Sequence, residues 1–345
     1  MEYPSPLRTS DFDYDLPAER IAQHPVEPRH NARLLVLDRK TGEMEHRIFY
    51  NLPDYLNAGD VLVINQTRVI PARIFGQKPS GGRVEILLLK RENETVWEAL
   101  VGGKKIRAGT VIQLIDGPKA IVEEVLNGAR RLIRFEGEIE SYLEKKGQMP
   151  LPPYIHEKLE NPERYQTVFA RSPGSAAAPT AGLHFTPELM KILEEKGIRF
   201  ARVILHVGLD TFAPVTEEDP RQHVIHSEWC ELDEEAAAMI NSAHRAGGRV
   251  IAVGTTSART LESAAMNAAV GQRVAPFSGN TRLFILPGYV FKAVDMMITN
   301  FHLPRSTLLM LVSAFAGREL IFKAYQEAIR REYRFYSFGD AMLIL

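Results

Sequence analysis

The 345-residue chain has a single cysteine, Cys230, and almost no net charge, formally −1. One thiol excludes an intrachain disulfide framework and a thiolate metal cluster, and fits a buried side chain in a reducing compartment. The near balance of charge means that no global basic field advertises nucleic acid, although a local patch suffices for that. Long apolar runs are missing too. The longest, STLLMLVSAFAG from Ser306 to Gly317, is too short to span a bilayer, so no membrane partner is expected. The start, MEYPSPLRTSDFDYDLP, is acidic and proline-rich and does not read as a signal peptide, which makes a soluble cytoplasmic protein the expectation. There is no internal repeat and no low-complexity tail. No GxGxxG follows an opening strand, and no HxxxH pairing supports a metal site; His223 and His226 stand three apart in an irregular acidic stretch.

What is present changes texture along the chain. RLLVLDRKTGEMEHRIF reads as two strands around Thr41-Gly42, and VLVIN (61–65) as a buried strand. Between residues 67 and 151 come VIPARIFGQ, GRVEILLLKR, VWEALVG, TVIQLID, KAIVEEVL and RRLIRFEG. Short β-like runs separated by Gly, Asn and Asp suit a small antiparallel barrel. This segment holds 15 Lys and Arg against 11 Asp and Glu, while the rest is acidic by 32 to 27. A basic barrel inserted in an acidic body is a candidate RNA-facing module, or simply a solvated surface. After MPLPPYI, helices and strands alternate, including TPELMKILEEKG capped by Thr186 and DEEAAAMINSAHRAGG capped by Asp233. The expected fold is therefore α/β: a body of residues 1–66 and 152–345, with a mixed sheet or open barrel-like arrangement, and an inserted β-barrel at 67–151.

In such folds ligands collect where strands end and helices begin. VIAVGTTSARTLES places Thr255, Thr256 and Ser257 beside free helix N–H groups, with Arg259 one turn on, as an anion cradle or an ordinary N-cap. ILHVGLDTFAPV ends a strand in His206 and Gly208 before Asp210, a proton-transfer pair or a packed histidine and a turn. MITNFHLPRSTLLM carries Asn300 and His302 out of another strand. DFDYDLP alternates Asp11, Asp13 and Asp15, which either hold a cation or solvate a helix entry. YRFYSFGDAMLI offers aromatics that stack on a base or pack in the core. SPGSAAAPTAGLHFT (172–186) is too stiff and too small for a linker. It reads as a pocket wall with Thr180 and Gly182 close to ligand and His184 aimed inward.

Taken together, DFDYDLP, APTAGLHFT, HVGLDTFAPV, GTTSARTLES, ITNFHLPRSTLLMLVSAFAG and FYSFGDAMLI resemble the S-adenosylmethionine:tRNA ribosyltransferase-isomerase family of queuosine biosynthesis, from one end of the chain to the other. The resemblance implies transfer of the ribosyl group, not the methyl group, of S-adenosylmethionine to 7-aminomethyl-7-deazaguanine (preQ1) in tRNA. The ribose rearranges to give epoxyqueuosine-tRNA, with release of adenine and methionine. It also implies a monomeric cytoplasmic enzyme with tRNA and S-adenosylmethionine as partners and substrates, without metal or separate cofactor. The sulfonium acidifies the ribose C5′ protons, so a base is needed: His184 or His302, with His206 third. Thr255, Thr256, Ser257 and Arg259 would take the methionine carboxylate, and Asp11, Asp15 or Asp210 the cationic groups. Two rivals stand beside this reading. A methyltransferase would release S-adenosylhomocysteine, and a non-catalytic RNA-binding protein would use the basic barrel and aromatic tail alone.

Overall fold

The computed structural model describes residues 7–208 and 214–345. Strand β1 (Arg33–Leu37) turns back into β2 (Met44–Ile48), and β3 (Val61–Asn65) comes after a 3-10 segment, Phe49–Tyr55. Strand β4 (Thr67–Val69) precedes six barrel strands: β5 (Arg73–Gln77), β6 (Arg83–Arg91), β7 (Val96–Gly102), β8 (Val111–Leu114), β9 (Lys119–Val125) and β10 (Arg130–Phe135). Helix α1 (Glu140–Lys146) ends the insertion, and β11 (Ser172–Ser175), α2 (Pro187–Glu195) and β12 (Arg199–Leu205) resume the body. Then come β13 (Glu228–Leu232), α3 (Glu234–Arg245), β14 (Val250–Val253), α4 (Thr255–Ala265), β15 (Phe277–Thr281), β16 (Met296–Asn300), α5 (Thr307–Ala316), α6 (Arg318–Arg330) and β17 (Ala341–Ile344).

The main sheet has the order β15-β13-β12-β3-β14-β16-β17-β1-β2 among the described residues. Its centre, β12-β3-β14-β16, is parallel throughout. Both faces of these strands are covered, which is why VLVIN and VIAV are unbroken apolar runs. Val61, Val63, Val250 and Ala252 point to the side packed with residues of α3, α4, α5 and α6. Leu62, Ile64, Ile251 and Val253 point to the other side, against α2 and the Phe49–Tyr55 segment. The chain leaves β3, visits β12 on one flank, then crosses to β14 on the other. That reversal opens a crevice at the carboxyl ends of the parallel strands.

The barrel closes as β10-β7-β6-β5-β8-β9 with every pairing antiparallel. Alternate residues such as Val84, Ile86 and Leu88 fill it, and Ile139 and Leu143 at α1 join the same apolar cluster. The neck is tied where Arg73 and Gln148 exchange two backbone hydrogen bonds of 3.1 and 2.8 Å. Strand β4 lies outside the barrel, paired with β11. The segment PAERIAQHP, which reads as a helix, forms only a 3-10 turn over Ala18–Arg20, and Ile21 then bridges to Phe335. Tertiary pairing wins there because so short a helix has little stability of its own.

The opposite edge of the sheet is pinned by one carboxylate. Asp60, 2 % exposed, accepts from the backbone N–H of Asn57 (2.8 Å) and Arg249 (2.9 Å) and from the Arg249 guanidinium. Burial opposes the charge, but those donors hold the carboxyl below its usual range. Its stabilisation is thus present above the unfolded carboxylate pKa and lost as pH falls through the lower folded value. Asp60→Asn should cost about 1–2 kcal/mol by replacing a buried carboxylate that accepts from two backbone N–H groups and the half-buried Arg249 guanidinium, read as a lower urea midpoint with unchanged slope.

Candidate active site

The carboxyl ends of the parallel strands bring together the segments that carry Thr180, Thr255 and Asn300. At the end of β14, Gly254 adopts φ +89°, which turns the chain into α4. A side chain there would also be strained, and its Cβ would lie 3.5 Å from that of Ala181. The first turn of α4 does not present its hydroxyls uniformly. Ser257 Oγ donates back to Val253 O at 2.9 Å, so it is spent on the backbone at the end of β14. Thr256 Oγ1, in a residue 9 % exposed, has no hydrogen-bond partner. Thr255 and Thr256 face Pro179, Thr180, Asn300 and His302 across a void of about 30 Å³. That is room for about one water or one small polar group.

Asn300 is the knot of this region. Its Oδ1 accepts from Thr180 Oγ1 at 2.9 Å, and its Nδ2 lies 3.2 Å from His184 Nε2 and 3.3 Å from Tyr336 O. His184 packs on Phe49, ring centres 5.1 Å apart, and burial with repulsion from Arg334 and Arg29 pushes its pKa down to about 3. It stands behind Asn300 and lines neither the void nor the larger cleft between body and barrel. The 172–186 run is therefore a wall, and His184 is part of what braces it. Gly182 belongs to the brace as well, since a Cβ there would come within 2.7 Å of Phe169 Cζ. His302 lines the void, with Nε2 2.7 Å from Thr299 Oγ1, and burial pushes its pKa down to about 3.

Beyond Leu308, which lines both spaces, a cleft of about 760 Å³ separates the body from the barrel. His206 opens on it from the end of β12, stacked on Trp229 at 5.4 Å and 21°. Its Nδ1 lies 2.9 Å from Thr67 Oγ1, and burial lowers its pKa. Arg259 reaches the same cleft from α4. Its Nη1 donates to Glu228 Oε2 and its Nε to Leu283 O at 3.1 Å, while Nη2 is buried without a partner. Glu228 Oε1 in turn accepts from Gly208 N at 3.1 Å. The barrel supplies Lys90, Arg91, Trp97, Glu98 and Arg130 to the opposite wall.

The N-terminal aspartates are employed elsewhere. Asp11 pairs with Arg318 at 3.3 Å and Asp13 with Arg305, while Asp15 is exposed, and neither Asp11 nor Asp15 lines the cleft or the void. Asp210 lies outside the described residues. Sequence reading passes over Thr67, Trp229, Glu228 and the cleft-facing barrel cations. EWCEL gives no more than a strand, and RRLIRF no more than a basic strand; only the docking of barrel on body shows which of their residues meet.

Histidines held neutral in the fold carry a cost in acid. An unfolded histidine takes up its proton near pH 6.5, whereas His184 and His302 resist protonation down to about 3. The unfolded state therefore binds more protons as pH falls below 6.5, and stability drops by about 1.4 kcal/mol per pH unit for each histidine. Urea midpoints measured between pH 7 and 5 should fall accordingly, and His302→Gln should make that fall shallower, His184 and His206 contributing the rest.

Residues 9–344 match the family model described as a queuosine biosynthesis protein. A protein of Symbiobacterium thermophilum named S-adenosylmethionine:tRNA ribosyltransferase-isomerase is 58% identical over 98% of this chain and 100% of its own length. One of the same name from Carboxydothermus hydrogenoformans is 56% identical over the same shares. The crystal structure of an S-adenosylmethionine tRNA ribosyltransferase from Thermotoga maritima matches with a TM-score of 0.57 and 41% identity, covering 97% of this chain and all of that one. With a matching family model and relatives above half identity along nearly its whole length, the chain belongs to the queuosine biosynthesis protein family.

Proposed function

We propose that the chain transfers and isomerises the ribosyl group of S-adenosylmethionine onto preQ1 in tRNA, giving epoxyqueuosine-tRNA, adenine and methionine. The observation that carries this reading is the cleft itself. One wall offers an imidazole, an indole and an unsatisfied guanidinium nitrogen; the other is a basic barrel face. A small cationic nucleoside and an RNA backbone need such dissimilar walls.

Within the cleft His206 is the base for the C5′ proton. It is the histidine of the three candidates that borders the large cleft, and its lowered pKa keeps it in the unprotonated form at neutral pH. His184 and His302 hold Asn300 and the Thr299 turn in place instead. The methionine carboxylate sits at the start of α4, where Thr256 Oγ1 and Arg259 Nη2 are both short of a partner. Thr256 borders the small void and Arg259 the cleft, the two spaces meeting at Leu308, and the helix N-terminus adds its own positive end. Lys90, Arg91 and Arg130 lie where phosphates flanking the modified base would run. Arg91 and Arg130 are steadied by Glu140 at 2.8 Å and Glu98 at 2.5 Å. The active form is cytoplasmic and acts as a monomer, with S-adenosylmethionine as substrate and no separate cofactor.

Incubation with S-adenosylmethionine and preQ1-tRNA should yield adenine and methionine in equal amounts, resolved by chromatography; S-adenosylhomocysteine in their place would make the chain a methyltransferase. His206→Gln should slow adenine release at least about a hundredfold with little change in KM. Thr256→Val should do the reverse: KM for S-adenosylmethionine rises about tenfold, the loss of one charge-assisted hydrogen bond, and kcat holds.

A further inference from the structure

The imidazole of His206 is held from behind by a residue that nothing in the family resemblance singles out. Thr67 opens β4 and is completely buried, yet it is polar and its hydroxyl meets just two partners among the described residues. One is the Nδ1 of His206 at 2.9 Å, the other the carbonyl of Ser172 at 3.4 Å. The backbone of Thr67 is itself fixed, since its N–H donates to Asn65 Oδ1 at 3.1 Å and β4 pairs in parallel with β11. Asn65 reaches across to the neighbouring strand, its Nδ2 donating to Leu205 O at 3.0 Å and its Oδ1 accepting from Leu205 N at 3.1 Å. Thus the ends of β3, β4 and β12 are locked together around the ring of His206.

The ring has no freedom to tilt. Trp229 stacks on it, and Gly174, at φ +143°, passes so close that a Cβ would sit 2.8 Å from Cε1 and 2.9 Å from Nε2. Nε2 makes no hydrogen bond with any described residue. A hydroxyl has one hydrogen to give and lone pairs to accept with. If Thr67 gives its hydrogen to Ser172 O, it accepts Nδ1–H, and Nε2 is left as a bare lone pair. If it gives it to Nδ1 instead, Nε2 carries the hydrogen and cannot act as a base. The first arrangement also suits the state after proton uptake, because an imidazolium carries hydrogens on both nitrogens and Nδ1–H then needs an acceptor.

We propose that Thr67 is a positioning residue: its hydroxyl, donating to Ser172 O, accepts Nδ1–H of His206 and so presents Nε2 to the cleft as the proton acceptor. The assignment rests on His206 being the base and deepens that reading. The proton taken from ribose C5′ ends on Nε2, and Thr67 and the Ser172 carbonyl steady the resulting cation without being protonated themselves. The charged and titratable groups bordering the cleft are Glu228 and Arg259 from β13 and α4, His223 and His226 from the loop before β13, Arg282 after β15, Lys90, Arg91, Glu98 and Arg130 from the barrel, and Glu140 from α1. The hydrogen-bond partner of Nδ1 among the described residues is none of these but Thr67.

The test compares Thr67→Val, Thr67→Ser and His206→Gln in the full-length protein with S-adenosylmethionine and preQ1-tRNA. It pairs the pH profile of adenine release with ¹⁵N spectra of histidine-labelled protein. Expected for the wild type is His206 as the Nδ1–H tautomer. Thr67→Val should lose that preference, lower kcat about tenfold with KM for S-adenosylmethionine unchanged, and move the acid limb to lower pH. Thr67→Ser should restore all three. A role confined to packing would lower thermal stability in Thr67→Val and leave the acid limb where it was, and that result overturns the proposal. So does a wild-type His206 found with its hydrogen on Nε2. Should Thr67→Val match the wild type while His206→Gln is inactive, Thr67 has no such role and the base assignment stands. Full activity in His206→Gln removes the base assignment and the proposal with it.

Discussion

Parallel pairing of β12, β3, β14 and β16 is the constraint on which the site depends. Parallel strands run the same way, so their carboxyl ends share one edge, and each must lead into a crossover that packs on the sheet. Here the ends are Asn65, Leu205, Val253 and Asn300. Just beyond each end stands a polar or small residue: Thr67, His206, Gly254 and His302. A backbone leaving a buried sheet has amide groups to satisfy, and Asn65 does part of that work, its Oδ1 accepting from Thr67 N and Leu205 N. Two residues with unmet bonding capacity, Thr256 and Arg259, border the void and the cleft. Chemistry is thus placed by topology before any individual side chain is chosen.

Burial then sorts the histidines. His184, His206 and His302 all end up at the same edge, and all are pushed toward the neutral form. Two are enclosed, bonded to Asn300 and Thr299, and carry the shape of the wall. His206 combines a rigid mount with access to the cleft, through Thr67 behind it, Trp229 on its face and Gly174 at its edge. A base has to be neutral, oriented and reachable at once, and its neighbours meet those three demands separately. Arg259 shows the same economy: Glu228 and Leu283 O hold the guanidinium, leaving one nitrogen without a protein partner.

Much of this is legible in the amino-acid sequence, and the failures have physical reasons. Unbroken apolar runs mark β3 and β14 because both faces of those strands are covered, and turn residues at short spacing mark the barrel strands. Thr186 and Asp233 cap α2 and α3 as read, at 3.2 and 2.8 Å. Motif reading also brings Thr180, Thr255, Thr256, Asn300 and His302 to one place, since all sit at strand–helix junctions. It ranks His184 above His206 because a histidine among small residues looks ligand-facing, yet Gly182, two residues before it, serves contact with Phe169, and the imidazole packs on Phe49. Asp11 and Asp13 look like a cation site but bind Arg318 and Arg305, far along the chain. Thr67 and Trp229 lie in unremarkable strands. What gives them a role is the register that sets them against His206, and register between distant strands leaves little trace in local sequence.

The position of the ribose decides whether His206 can be the base. A crystal structure of the protein with S-adenosylmethionine bound would locate it. The C5′ carbon should lie about 3–3.5 Å from His206 Nε2, with the methionine carboxylate at Thr256 and Arg259 and the open side facing the barrel. A complex in which C5′ lies instead beside His184 or His302, or in which the ligand occupies a site outside the cleft, would contradict that assignment.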